Sequence, residues 1–238
     1  DNCTFDGNHV KGAAKDWVQG GSIYFRSNNV TISNSLFKNS WSSQEGGALY
    51  IANDKRPAAF SPIDIHIINT TFINNTAKAE VSASDHDYGG GAILIKQVGN
   101  IYLTNVTFIN NTANRGGALS MLKPNKGDNN YFTNCTFIGN KATENGGSIW
   151  AGNKDWTLRL TNVLISDSKA GALGGGIYTN HNINYNNLTF INNTANKGGG
   201  LYWDKASVTI QNIKFINNTA SENGGAVYVP QNNTKVMN

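Results

Sequence analysis

Apolar and polar residues alternate along this chain with a period of two, in short runs broken by small or amide-bearing residues. In "SVTIQNIKF" at 207–215, Val208 and Ile210 share one face, and Ile213 and Phe215 continue it after a bend near Asn212. "NIYLTNVTF" at 100–108 has the same skeleton. Period-two alternation places successive side chains on opposite faces of a strand. No stretch carries a helical stripe of period 3.6.

Two marks punctuate these runs. Gly-Gly followed by small and apolar residues occurs at 20–24, 46–50, 90–94, 116–120, 146–150, 174–178, 198–202 and 224–228. Phe-x-x-Asn occurs at Phe5–Asn8, Phe72–Asn75, Phe108–Asn111, Phe137–Asn140, Phe190–Asn193 and Phe215–Asn218. Degenerate copies at Phe37–Ser40 and Ile165–Ser168 bring each mark to eight, with the Phe marks 25 to 36 residues apart. A recurrence of this length identifies a solenoid. Three short strands per repeat, separated by tight turns, predict an all-β, single-stranded parallel β-helix of about eight rungs, with 1–238 as one segment.

Register follows from the alternation. One inward column is Ile23, Leu49, Ile93, Leu119, Ile149, Ile177, Leu201 and Val227; a second is Ile32, Ile67, Leu103, Phe132, Leu160, Tyr185 and Ile210; the Phe marks are the third. In the recurrent "FINNTA" the Phe points in, the Ile out, and the second Asn is expected to turn the corner. Stacked turns then set Asn8, Asn75, Asn111, Asn140, Asn193 and Asn218 in an amide ladder, because a primary amide both donates and accepts. Gly-Gly supplies the backbone angles of the next corner. Cys3 and Cys135 fill the same slot four rungs apart, about 19 Å at strand spacing. That exceeds the reach of a disulfide, so two buried, reduced thiols are expected.

Composition narrows the function. Net charge is +4 with 14% charged residues, and the basic residues are scattered singly, so nucleic acid is not an expected partner. No run of 18 apolar residues crosses a membrane. The chain opens "DNCTFDGN" without a signal peptide, so either a leader was removed or the sequence is part of something longer.

The pairing of GGA[ILV] with FxxN resembles the repeats of the polymorphic outer-membrane proteins of chlamydiae and of adhesin-like microbial surface proteins. The resemblance implies a right-handed parallel β-helix at a cell surface, an adhesive role and no catalysis. The chain departs from that pattern in lacking a C-terminal barrel, in Ser40 and Ser168, and in its many sequons.

Asn-x-Ser/Thr occurs at Asn2, Asn29, Asn69, Asn74, Asn105, Asn110, Asn134, Asn187, Asn192, Asn217 and Asn232. These are N-glycosylation acceptors, or ladder chemistry that matches a sequon by coincidence; both readings stand. Outward from the Gly-Gly strand lie Tyr24, Tyr50, Leu94, Ser120, Trp150, Tyr178, Tyr202 and Tyr228. The aromatic members form an expected contact stripe for a glycan, a host-surface ligand or a second filament; a covering loop or glycan, or the strand preference of Tyr, explains them equally. Insertions at 52–64 and 78–88 are candidate recognition loops, and Asp85, His86 and Asp87 are a weak metal candidate. The outward Thr column Thr4, Thr71, Thr107, Thr136 and Thr189, an ice-binding pattern in principle, is interrupted by Leu36, Leu164 and Lys214. Acidic residues are dispersed. Glu144 and Glu222, with Arg115 and Lys197, read as a solvated corner rather than a catalytic pair.

The expectation is an extracellular, non-catalytic structural or adhesive segment with no cofactor and no metal, its uncapped ends continuing covalently or by head-to-tail or lateral self-association. The alternative is a polysaccharide-binding or polysaccharide-degrading β-helix.

Overall fold

A computed structural model describes all residues except 13–17, 27–28, 53–63, 79–88, 97–98, 123–128, 153–155, 206–207, 231–234 and 237–238. Both insertions, Asn232 and the Asp85–His86–Asp87 cluster thus fall wholly or largely outside the described residues.

The chain winds as a parallel β-solenoid of about seven turns. Each turn contributes to three parallel sheets, of twelve, eight and eight strands. The largest carries two strand columns per turn: Ile65–Ile68 and Thr71–Ile73 in one turn, Ile101–Thr104 and Thr107–Ile109 in the next. A short corner strand such as Thr112–Arg115 follows, then a Gly-Gly strand such as Leu119–Leu122. No helix occurs among the described residues.

Register agrees with the alternation. Leu49, Ile93, Leu119, Ile149, Ile177 and Leu201 pair in succession, and all are fully buried. The Phe column is a ring stack. Phe5, Phe37, Phe72, Phe108 and Phe137 lie 4.5–5.1 Å apart between centroids, nearly parallel, and the stack breaks where Ile165 replaces Phe. Each buried ring adds about 2–3 kcal/mol of apolar transfer.

The corners rest on left-handed backbone. Asn34, Asn69, Asn105, Asn134, Asn162, Asn187 and Asn212 all have φ of +47 to +56, as does the first Asn of the four "INN" stretches: Asn74, Asn110, Asn192 and Asn217. The corner role expected of the second Asn in "INN" therefore belongs to the first, while the second keeps its expected place in the ladder. The first Asn turns the corner, because Asn tolerates this conformation. The second turns its side chain inward.

At the Gly-Gly corner the two glycines have different reasons. The first, such as Gly90, has φ +69. The second is pressed against the next turn: a Cβ on Gly91 would overlap the Gly117 carbonyl and the Thr112 backbone. No side chain fits there.

Candidate functional site

The inner amide ladder is built as expected in the middle of the column. Asn75, Asn111, Asn140 and Asn193 are fully buried. Asn75 Nδ2 donates to Asn111 Oδ1 (3.0 Å) and to the Phe37 carbonyl (3.0 Å). Asn111 repeats this with Asn140 and Phe72, and Asn193 with Asn218 and Ile165. Each Oδ1 also accepts the backbone N–H of the preceding ladder residue, as Asn111 Oδ1 does from Asn75. Four contacts thus satisfy one buried amide, so these residues are structural. Asn8 departs from the expectation: it is exposed, because no turn of the described chain stacks beyond it.

Cys3 is also exposed, correcting the expectation of two buried thiols. It lies in the first turn of the described residues, in the same slot as Cys135. Cys135, in the same slot, is buried and free. Burial pushes its thiol up to about 11.

A second amide ladder, missed in the sequence because its residues alternate with Thr and look like turn filler, runs along the surface. Asn69 Nδ2 donates to Asn34 Oδ1, Asn105 to Asn69, Asn134 to Asn105, Asn162 to Asn134 and Asn187 to Asn162, at 3.0–3.1 Å. All six are exposed. The signal was available as an Asn three residues before each Phe mark, or before its Ile165 equivalent. A parallel row beside it includes Asn39 donating to Asp6 and Asn192 to Asp167. With Lys38, the Asn39 amide holds the Asp6 carboxyl below its ordinary range. Nine of the eleven sequons, Asn2, Asn69, Asn74, Asn105, Asn110, Asn134, Asn187, Asn192 and Asn217, are these left-handed corner residues.

The aromatic stripe is not the continuous exposed row expected. Tyr50 is 1% and Trp150 7% exposed, and with Ala52, Leu94 and Leu122 they form a second apolar cluster outside the Gly-Gly sheet. Tyr24 is exposed, while Tyr178, Tyr202 and Tyr228 are half-buried. The rings are piled on one another: Tyr24–Tyr50 at 5.2 Å, Trp150–Tyr178 at 6.2 Å, Tyr178–Tyr202 at 5.3 Å and Tyr202–Tyr228 at 5.4 Å. Both faces of Tyr178 and Tyr202 are thus covered by neighbouring rings. Only edges and hydroxyls remain for a partner, so sugar stacking on these two faces is excluded. Burial, then Asp204, raises the pKa of both phenols.

The charged corner is paired within itself. Arg115 Nε meets Glu144 Oε2 at 2.8 Å, and Lys197 Nζ meets Glu222 Oε2 at 3.3 Å. Among the described residues no three His, Cys, Asp or Glu side chains gather as a metal cluster.

A further array lies on the outer face of the largest sheet, where the sequence reading marked nothing. Thr31, His66, Tyr102, Tyr131, Arg159 and Asn184 stack in register; beside them run Ser33, Ile68, Thr104, Thr133, Thr161 and Asn186. The surface amide ladder borders the second column.

Five segments, 69–96, 105–121, 134–152, 187–202 and 212–230, match the family model described as the Chlamydia polymorphic membrane protein repeat. No curated protein and no solved structure matches the chain. Each matched segment begins on a left-handed corner Asn and runs through the Phe mark to the Gly-Gly strand. The chain carries the repeat of this family, whose proteins are surface-exposed and adhesin-like.

Proposed function

We propose that this chain is a non-catalytic adhesive or structural segment displayed at a cell surface, extending a rigid column from its anchorage. The observation that carries the reading is the coincidence of five family repeats with five structural turns. What the repeat encodes is a self-stacking unit: corner Asn, buried Phe, buried Asn, Gly-Gly. Three of the 15 acidic residues, Asp6, Glu144 and Glu222, each pair with a cation on a different turn, which is a structural use of those carboxylates. Labelling of intact cells with an antibody against this segment, and its release by external protease, test the display. A protein reached only after lysis rejects it.

Self-association is part of the proposal. The piled rings of Tyr178, Tyr202 and Tyr228 are half-buried and leave their edges on one outer side. Sedimentation at rising concentration tests this, with Tyr178→Ser/Tyr202→Ser separating lateral from end-to-end contact. A monomer throughout rejects both.

The sequons add a conditional proposal. Corner Asn residues on successive turns lie about 4.8 Å apart, too close for a glycan on each, so glycosylation would occupy a spaced subset of turns. Intact mass of the native protein reads this directly; the mass of the bare chain ends the idea.

A further inference from the structure

We propose that the outer face of the largest sheet is a binding trough for a linear, uncharged polysaccharide lying parallel to the solenoid axis. This names a ligand class for the adhesive reading and rests on it.

Three columns in register form the trough. Its floor is Ser33, Ile68, Thr104, Thr133 and Thr161, all half-buried, a strip of small or β-branched side chains on five consecutive turns, on the order of 20 Å long. One wall is an aromatic pile: His66 on Tyr102 at 4.6 Å, Tyr102 on Tyr131 at 5.4 Å, and the Arg159 guanidinium over Tyr131 at 5.4 Å. Tyr131 is among the most exposed large apolar side chains of the described chain, at 36%. The other wall is the surface amide ladder from Asn34 to Asn187.

The chemistry of the walls selects the ligand. Each ladder amide spends one N–H and one lone pair on its neighbours, and a primary amide has two of each. One donor and one acceptor therefore remain per turn, facing solvent. The hydroxyls of Thr104, Thr133 and Thr161 and of Tyr102 and Tyr131 add to the row. The amide pair repeats at every turn from Asn34 to Asn187, and the threonine hydroxyl at three consecutive turns, Thr104, Thr133 and Thr161, at strand spacing. An extended peptide of irregular sequence presents a different side chain at each step, so a regular polymer matches the repeated amide row better. A β-1,4-linked pyranose chain advances by close to one turn per sugar and, because successive rings are turned over, brings the same ring edge to the ladder at about every second turn. Charge on this face is slight: Arg159 is the main cation, and Asp64 accepts a hydrogen bond from Asn100 at 2.9 Å. That favours an uncharged polymer over an acidic one.

The floor and the aromatic wall lie outside the matched family segments, whereas the ladder wall includes Asn69, Asn105, Asn134 and Asn187, the first residues of four of them. Residues 31–33, 66–68, 102–104, 131–133 and 159–161 all fall outside the matched segments. The matched part builds the column and one wall, and the part between carries the floor and the aromatic wall.

The test uses linear β-1,4-linked gluco-, xylo- and N-acetylglucosamine oligosaccharides of increasing length, with calorimetry or fluorescence as the readout. Affinity for at least one series should rise with length and level off once the five-turn floor is spanned, and should be unchanged by salt. Thr104→Lys/Thr133→Lys, which fills the floor, should weaken binding about tenfold or more. The same change on another outer face, Thr76→Lys/Thr112→Lys, should leave it intact. If the floor variant unfolds, Tyr131→Ala serves, with a severalfold loss expected. No binding by any series, equal binding by the trough variants, or binding abolished by salt overturns the proposal. So does a concentration-dependent dimer that the floor variant dissociates, which gives the face to a second copy. Cell-surface labelling fails or succeeds independently of these outcomes, so a failed display and an empty trough are told apart.

Discussion

Ser148 and Ser168 share a hydrogen bond of 2.7 Å between their hydroxyls, across one turn of the solenoid. Ser168 stands where most turns have a ladder Asn, and Ser148 is the third residue of Gly-Gly-Ser. The same pairing recurs between Ser22 and Ser40, also at 2.7 Å. These are the two Ser positions in the ladder, and each is preceded by Gly-Gly-Ser. The five buried or half-buried ladder Asn residues are preceded by Gly-Gly-Ala or Gly-Gly-Gly. Ser148 also accepts from Asn140 Nδ2 at 3.3 Å, and the Ser168 N–H donates to Asn193 Oδ1, so the ladder crosses the gap unbroken.

Ser148→Ala should therefore destabilise the protein by about 1–2 kcal/mol, the cost of withdrawing one partner from two buried groups. Ser168→Asn should be better tolerated beside Ser148→Ala than alone, because the pair restores the arrangement of the other turns. Denaturant unfolding of both singles and the double reads the coupling; additive effects would show that the two sites are independent.

The two ladders should respond in opposite ways to the same deletion. Asn111→Ala strands the Asn75 side-chain and backbone N–H groups in the core, and should cost roughly 2–4 kcal/mol. Asn105 is exposed with φ +54, so its main task is conformational. Asn105→Gly should be close to neutral, while Asn105→Val should cost about 1–2 kcal/mol for the left-handed backbone. Thermal unfolding of the three variants checks the order.

Gly91→Ala should be among the most damaging single-methyl additions, since the Cβ meets backbone of the neighbouring turn rather than a movable side chain. Gly7 has φ +68 with nothing within 4 Å of a built Cβ. Gly7→Asn, restoring the residue type found at most equivalent corners, should be tolerated or mildly stabilising. Expression and melting temperature of the two variants decide this.

The two thiols should differ in reactivity and in pH dependence. Cys3 should react with a thiol reagent in the native state, and Cys135 only after unfolding. Cys135 is neutral and buried with its pKa raised, so its contribution to stability is full below the ordinary thiol pKa of about 9 and falls as pH rises towards about 11. Tyr102, Tyr178 and Tyr202 are shifted in the same direction, so the informative quantity is a difference. The alkaline loss of stability should be smaller in Cys135→Ala than in the parent, measured by unfolding across that interval.

The sequence by itself determined the solenoid, its register and its inner ladder. Alternation admits one inward set, and a slip by one residue would expose Leu49, Ile93 and Leu119 together. It also determined which glycines are irreplaceable, because the Gly-Gly mark recurs at every turn. Tertiary structure decided what each repeated position experiences. Tyr50 and Tyr24 occupy one slot, yet one is covered and the other open. Cys135 and Cys3 differ in the same way, because burial depends on what stacks above and beside a residue. The corner role of the first Asn in Asn-Asn, the surface amide ladder and the outer aromatic pile were settled only by backbone angle and by register between turns. A linear pattern records which face a residue takes, while the neighbour it meets on the next turn lies 25 to 36 residues away and is fixed by the winding of the chain.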